Sequence, residues 1–211
     1  LTPGDQGCCG ALYSHGGNLS EARAAARRNI EVFERCNAEA IIINAAGCGS
    51  TLKEYGHLLP GDAAASAFSA KVKDLSEFLV TANFHRAAFR TPHSAIRTTF
   101  HDACHLAHAQ RITHPPRVLV RAVAGVNFVE LPEADVCCGS AGIYNLTQPD
   151  ISMQVLDEKM VNIAATKPDM PEPTTAMRGQ RRSGVLMVVA TSSPPQPRTP
   201  DHRASSCCCR P

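Results

Sequence analysis

Cysteines able to bind a metal recur in two similar settings along the 211-residue chain. The triplet Cys8-Cys9-Gly10 returns as Cys137-Cys138-Gly139, and each is accompanied by a further cysteine, in Gly47-Cys48-Gly49 and in His101-Asp102-Ala103-Cys104-His105. Thiolates are soft ligands that select zinc, copper(I) or iron-sulfur clusters, and several of them in one pocket need a cation to offset their repulsion. The pattern predicts a duplicated metal site with six candidate ligands: Cys8, Cys9, Cys48, Cys104, Cys137 and Cys138.

The residues beside these cysteines suit contact with a bound group. A disulfide within either pair is disfavoured, because disulfide geometry requires Cα separations and sulfur dihedrals that one trans peptide hardly permits. A glycine after a cysteine pair lets the backbone approach the group and adopt a positive φ. His105 is expected to support a thiolate by hydrogen bonding rather than to ligate directly. The candidate contacts to the bound group are Gly10, Gly47, Gly49, Gly139 and His105.

Cysteine and aspartate side chains also have structural uses in proteins. Free cysteine often fills a core as a small hydrophobe, but two pairs that are each followed by glycine favour ligation over filling. Cys36 lies on the apolar face of a predicted helix, so we expect it to be buried without a chemical role. Asp102 could ligate iron or cap the following helix, and capping is favoured.

Composition excludes several function classes. The chain is 44% hydrophobic and 5% aromatic with no Trp, so its core must rely on Ala, Val, Ile and Leu. No membrane-length apolar run and no signal peptide are present, which predicts a cytoplasmic protein without a transmembrane segment. The sequence lacks a basic stripe interleaved with aromatic residues, so it does not indicate nucleic-acid binding. The chain starts without Met, so we expect an internal fragment.

Hydrophobic periodicity predicts an α/β protein with two related halves. Each half is expected to hold a small, mainly parallel sheet flanked by helices, with Cys48 and Cys104 each following a strand, where α/β proteins gather ligands. The predicted helices cover residues 19–36, 50–59, 63–82, 117–124 and 147–163, and the predicted strands cover 40–43, 95–100 and 127–131.

The predicted domains are 1–60, a connecting helical segment 61–94, 95–170 and a tail 171–211. Adding 129 to the residue numbers of the first cysteine triplet gives those of the second. The same shift places the counterpart of Cys48 at Met177, which is not a cysteine, so the second repeat is incomplete. The tail holds seven of the fifteen prolines and six Arg with no Lys, a composition that predicts a disordered or aberrant segment.

Several motifs together resemble one family. The cysteine triplets, the run Lys53-Glu54-Tyr55-Gly56-His57-Leu58-Leu59, the segment 101–105 and Leu131-Pro132 are similar to the cysteine-rich CCG-domain family, most closely its glycolate oxidase iron-sulfur subunits. The resemblance covers about residues 1–170. It implies two CCG repeats, of which residues 1–60 are the later part of the first and residues 95–170 the incomplete second.

The resemblance also implies a function. It is that of an iron-sulfur electron-transfer subunit of a flavin-linked dehydrogenase, with a 4Fe-4S type cluster on this chain and no catalytic substrate-binding residue. A partner flavoprotein would carry FAD, oxidise glycolate to glyoxylate and pass electrons through this chain to a quinone at the inner membrane. No GxGxxG motif follows a strand, which agrees with a flavin held elsewhere. Two alternatives stay open: a related complex acting on lactate, glycerol 3-phosphate or a heterodisulfide, and a zinc-stapled interaction module without electron transfer.

Overall fold

The computed structural model describes residues 2–86, 89–90, 96–140 and 142–169. The predicted disordered tail 171–211 lies outside these residues. Within the first half the elements follow one another as α1 Ala11–His15, α2 Leu19–Glu34, β1 Ile41–Ile43, α3 Ala46–Lys53, α4 Tyr55–Leu58, α5 Ala63–Lys71, β2 Val72–Asp74 and α6 Leu75–Thr81.

The second half continues with shorter elements. Its members are the 3-10 turn Phe84–Arg86, β3 Phe89–Arg90, β4 Ile96–Thr98, the π-helical turn His105–Ala109, α7 His114–Ala122, β5 Val123–Ala124, β6 Val126–Phe128, α8 Tyr144–Thr147 and α9 Pro149–Ala165. The α/β prediction is confirmed, since helices surround small parallel sheets in both halves.

The strands pair two by two, and every pair in the described residues is parallel. Strand β1 pairs with β2 in the register Ile41 to Val72, and β4 pairs with β6 in the register Ile96 to Val126. The short β3 pairs with β5. A parallel pair needs a crossover connection, usually helical. Helices α3, α4 and α5 make that crossover between β1 and β2, and α7 lies between β4 and β6.

The predicted helix over residues 63–82 is wrong, because strand β2 divides it into α5 and α6. The residues Val72–Asp74 also fit a helical period, but pairing with β1 buries Val72 to 2% exposure. Asp74 then starts α6 with a capping box, in which its side chain accepts from Ser76 N at 2.8 Å and the Glu77 side chain accepts from Asp74 N.

The predicted helix 50–59 is instead two helices, α3 and α4, of which α3 begins four residues earlier, and the predicted helix 117–124 ends at Ala122 because Val123–Ala124 pair as β5. The other element predictions agree with the structure to within a few residues. Helix α2 begins after Asn18, whose side chain accepts from the Glu21 backbone N–H, as the sequence predicts. Strands β1, β4 and β6 lie inside the predicted ranges or within one residue of them. None of the helices formed by the described residues is long and apolar enough to cross a membrane.

Two separate cores support the two halves. The larger one packs α2, β1, α4, α5 and β2, with Tyr55 and Phe68 stacked at 5.2 Å between ring centroids. It also takes in Cys9, so the first cysteine pair is attached directly to the core. The smaller core joins Leu131, Ala134 and Ile163, which lie beside the second pair in sequence or on α9.

Candidate metal centre

The first three cysteines converge at the edge of the larger core. Cys8 and Cys9 lie in the loop before α1, and Cys48 lies in the first turn of α3, just beyond β1. A contact with the Cys48 sulfur, together with burial, raises the pKa of the Cys9 thiol strongly, and a hydrogen bond from Ala11 N–H acts in the opposite direction. Gly10 N–H donates to the Cys8 sulfur at 3.5 Å. We call these three residues the first thiol set.

Two buried polar side chains fix the loop that carries Cys8 and Cys9. Asn29 accepts from Gly7 N–H at 2.9 Å and donates from its amide to Cys8 O at 2.9 Å. The Tyr55 hydroxyl donates to Cys9 O at 2.9 Å and accepts from Asn29 at 3.1 Å. Burial and the nearby thiol set raise the pKa of Tyr55, which therefore stays a neutral donor. The loop is thus held from both α2 and α4.

The second three cysteines converge in the same way. Cys104 immediately precedes the π-helical turn, and Cys137 and Cys138 follow the turn that ends at Val136. Burial raises the pKa of Cys104, and the adjacent Cys137 and Cys138 raise it further. Gly139 N–H donates to the Cys137 sulfur at 3.3 Å, which matches the Gly10 bond in the first set. We call Cys104, Cys137 and Cys138 the second thiol set.

The two segments of the second thiol set are joined at one carbonyl. Ala134 O accepts from Asp102 N–H and from His101 Nδ1, each at 3.0 Å, and from Lys159 Nζ at 3.3 Å. His108 adds a bond from Nε2 to Asp135 O at 3.0 Å. The segment before Cys104 is therefore bonded to the segment before Cys137.

The prediction that Asp102 caps the helix after Cys104 is wrong, because the π-helical turn has no side-chain cap. Asp102 instead forms a bidentate pair with Arg117 of α7, both distances being 2.8 Å. Its hydrogen bonds and charge raise the pKa of Arg117 against the effect of burial. A guanidinium fork fits a carboxylate better than the backbone donors of a five-residue turn do, so this carboxylate supports the Cys104 segment from α7.

The two glycines after the cysteine pairs have the positive φ that the sequence predicts, +82° at Gly10 and +84° at Gly139. Both also press against a longer helix further along the chain, Gly10 against α2 and Gly139 against α9. A Cβ at Gly10 would lie 3.2 Å from Ala22 O, and a Cβ at Gly139 would lie 2.2 Å from Ser152 O. Ser152 also donates from its hydroxyl to Gly139 O at 2.8 Å. Helices α2 and α9 thus hold the two loops at equivalent points.

The halves meet where α3 packs on the π-helical turn. The His105 ring lies over Gly47, with Nδ1 3.8 Å from where a Cβ would stand, and it stacks on His15 at 5.8 Å between ring centroids. Gln110 donates to Ala46 O at 2.9 Å and lies against Gly49. Gly47 and Gly49 thus permit close packing between α3 and the element after Cys104.

Each thiol set brings cysteine sulfurs together at a loop that also carries a glycine N–H. No disulfide joins the cysteines of the described residues, and no group of three side chains there is arranged to hold a single metal ion. Cysteines that bind different irons of one cluster stand farther apart than the ligands of one ion, since each binds its own iron. In each set, neighbouring thiols raise the pKa of one cysteine, Cys9 or Cys104, which is the repulsion between thiolates that a bound cation would offset, and a backbone N–H aimed at one sulfur suits such a group. Cys36, whose thiol donates to Val32 O, lies in neither set.

Sequence reasoning missed the residues that hold the loops: Asn29, Tyr55, Arg117, Ser152 and Lys159. Tyr55 lies in a run quoted above only for its resemblance, the other four belong to no local motif, and all five bond to partners at least 13 residues away in sequence. One signal was available. Asn29 lies seven residues after Ala22, and Lys159 lies seven residues after Ser152, so the two helices present polar residues at corresponding positions.

A scan against family models matches the cysteine-rich CCG domain at residues 1–53 and 98–171. The chain is 42% identical over 173 residues to a probable glycolate oxidase iron-sulfur subunit of Bacillus subtilis, covering 79% of this chain and 38% of that protein. It is 37% identical over 174 residues to the glycolate oxidase iron-sulfur subunit of Escherichia coli, covering 79% and 42%.

A second group of relatives carries a different name. The chain is 31% identical over 169 residues to lactate utilization protein A of Oceanobacillus iheyensis, covering 78% of this chain and 68% of that protein. The chain spans about two fifths of the length of the two glycolate oxidase subunits. The similarity includes both stretches that carry the cysteines.

Proposed function

Since this chain belongs to the CCG cysteine-rich domain family, we propose that it serves in the iron-sulfur electron-transfer subunit of a flavin-linked 2-hydroxy-acid dehydrogenase. The observation that carries the proposal is the convergence of two sets of three cysteines, each with a backbone N–H directed at a sulfur. Each set would hold an iron-sulfur cluster, for which we propose the 4Fe-4S type. The ligands would be Cys8, Cys9 and Cys48 in the first set and Cys104, Cys137 and Cys138 in the second.

A bound cluster supplies one-electron chemistry at a potential that the surrounding protein adjusts. The residues of this chain orient the loops that carry the sulfurs. Asn29 and Tyr55 hold the first loop by its carbonyls, and Ser152 holds the second. The N–H groups of Gly10 and Gly139 stabilise negative charge on sulfur by hydrogen bonding. His105, between the halves, would support a thiolate through a hydrogen bond rather than ligate.

The preferred substrate of the whole enzyme is glycolate, which would be oxidised to glyoxylate on a partner flavoprotein that carries FAD. Greater identity to glycolate oxidase iron-sulfur subunits, at 42% and 37%, than to lactate utilization protein A, at 31%, supports this choice. This chain would receive electrons from the flavin and deliver them towards a quinone. Lactate is the second candidate, supported by the greater coverage of the lactate utilization relative.

The cluster proposal is tested by anaerobic reconstitution of the full chain with iron and sulfide. We expect sulfur-to-iron charge-transfer absorption, with iron at both sites. Replacing Cys137→Ser and Cys138→Ser should remove iron from the second site and leave the circular dichroism spectrum almost unchanged. Cys36→Ser, outside both sets, is the matched control and should retain all iron. Colourless protein with stoichiometric zinc, or unchanged iron in the double variant, would refute the proposal.

The substrate proposal needs the complete enzyme. The full-length subunit that contains this chain would be purified with its flavoprotein partner, and dye reduction would be measured with glycolate and with DL-lactate. We expect kcat/KM to be higher with glycolate. A higher kcat/KM with lactate would reassign the substrate and leave the electron-transfer role unaffected.

A further inference from the structure

Lys159 is a buried cation without a carboxylate partner among the described residues. Its side chain is 3% exposed, and its hydrogen bonds go to two backbone carbonyls, Glu133 O and Ala134 O. The Glu133 carboxylate is directed elsewhere and accepts from Asn162 at 2.8 Å. Buried charges in proteins are normally paired or bind an ion of opposite sign. The ammonium therefore lacks the negative charge that ordinarily accompanies such a group.

The position of Lys159 indicates where that negative charge belongs. Ala134 O, which accepts from Lys159, also joins the segment three residues before Cys104 to the segment three residues before Cys137. Burial lowers the pKa of His101, and the positive charge of Lys159 lowers it further, so the ammonium acts electrostatically on the residues that lead to Cys104. Asp102 is engaged with Arg117.

Helix α9 places Lys159 against the segment that leads to Cys137. Its buried positions are Ser152, Lys159 and Ile163. Ser152 bonds to Gly139 O, directly after the cysteine pair, and Lys159 follows two helical turns later on the same face. One helix face thus contacts the loop on both sides of Cys137 and Cys138.

The first half has a related arrangement in which the buried polar residue is neutral. Ala22 of α2 faces Gly10 as Ser152 faces Gly139, and seven residues later each helix carries a buried polar residue, Asn29 in α2 and Lys159 in α9. A cation, Arg28, also lies beside Gly7, but it is exposed and therefore screened by solvent. Asn29 is also 3% exposed and bonds to the backbone before and at Cys8. A neutral amide therefore supports the first thiol set, and an ammonium supports the second.

We propose that Lys159 is a positioning residue whose buried positive charge makes the second thiol set the site of higher reduction potential. The inference rests on the proposed function, because it concerns a cluster held by these thiolates. Adding an electron makes the bound group more negative, and a nearby buried cation favours that state more than a neutral amide does. The asymmetry would direct electrons from the first site to the second.

The test is a redox titration of the full chain, reconstituted anaerobically in a Cys8→Ser background so that only the second thiol set is complete. Dithionite supplies one electron per bound group through mediators, and paramagnetic resonance follows reduction. Lys159→Gln keeps a donor to the two carbonyls and removes the charge. We expect the reduction equilibrium to fall at least tenfold, a shift of about 59 mV to lower potential for a one-electron couple.

Two further variants separate charge from structure. Lys159→Met should give the same shift with lower stability, because it also loses the hydrogen bonds. Lys167→Gln removes an exposed lysine of the same half and should leave the potential unchanged, because solvent screens that charge.

Three results for Lys159→Gln would overturn the inference: an unaltered potential, failure to fold, or loss of the bound group. The last two would make Lys159 a structural residue. Absence of iron from the chain that retains Lys159 would instead refute the proposed function itself.

Discussion

Replacing Gly139 with alanine should disrupt the second thiol set, because the added Cβ has no room. The residue has φ +84°, where an alanine costs about 1–2 kcal/mol. The added Cβ would lie 2.2 Å from Ser152 O, a backbone atom of α9 that cannot turn aside. Overpacking of this kind costs about 1–3 kcal/mol. The total loss in free energy of unfolding should therefore be about 2–5 kcal/mol.

The matched control is Gly61→Ala, where φ is +81° and no atom lies within 4 Å of the new Cβ. This variant carries the backbone strain alone and should lose about 1–2 kcal/mol. The effect of alanine on the unfolded chain is common to both variants and cancels. Gly10→Ala should lie between them, because its nearest contact is 3.2 Å.

Urea unfolding of the metal-free chain, followed by circular dichroism, gives the three free energies. Iron content after reconstitution should fall at the second site in Gly139→Ala, since α9 and the cysteine loop must separate, and should stay unchanged in Gly61→Ala. If Gly139→Ala and Gly61→Ala lose equal stability, the contact between the loop and α9 does not constrain the site, and this reasoning is refuted.

Two further predictions concern ion pairs. Arg117→Met should lower the free energy of unfolding by about 3–5 kcal/mol in the same urea assay, because it leaves the Asp102 carboxylate unpaired at 5% exposure. The control is Arg35→Met, whose ion pair with Asp5 is 60% exposed or more and which should lose about 0–1 kcal/mol. Equal losses in the two variants would contradict the argument. Burial alone would raise the pKa of Glu77, but Lys53 at 2.9 Å lowers that pKa overall. The pair therefore stabilises the fold above about pH 4.5, and its contribution of about 0.5 kcal/mol is lost as pH falls through the lowered pKa. Urea unfolding of the parent and of Glu77→Gln from pH 7 to pH 3 should show the difference vanish at low pH, and a constant difference would argue against the pair.

The sequence predicted the candidate ligands because short motifs carry their chemistry. Each cysteine pair with its glycine is local, and the positive φ at Gly10 and Gly139 follows from residue type. Cys48 and Cys104 were associated with strand ends by the general layout of α/β folds, and β1 and β4 precede them as expected.

The remainder depends on contacts that no local pattern encodes. Val72 and Asp74 suit a helix by periodicity, and only the presence of β1 beside them selects a strand. Asp102 has the residue type of a helix cap, but Arg117, from a distant part of the chain, competes successfully for its carboxylate. The sequence around Lys159 does not distinguish it from an ordinary surface lysine. Its burial follows from the packing of α9 on the cysteine loop.

The parallel pairing of β1 with β2 has a consequence for the order of events during synthesis on the ribosome. Cys48 belongs to the connection between these strands, and Tyr55, which holds the Cys9 carbonyl, lies on the same connection. Strand β1 has no partner until residues 72–74 have emerged from the exit tunnel. The nascent chain therefore exposes Cys8 and Cys9 long before their surroundings exist, so the proposed metal group could be enclosed at the first thiol set only after residues 72–74 have emerged.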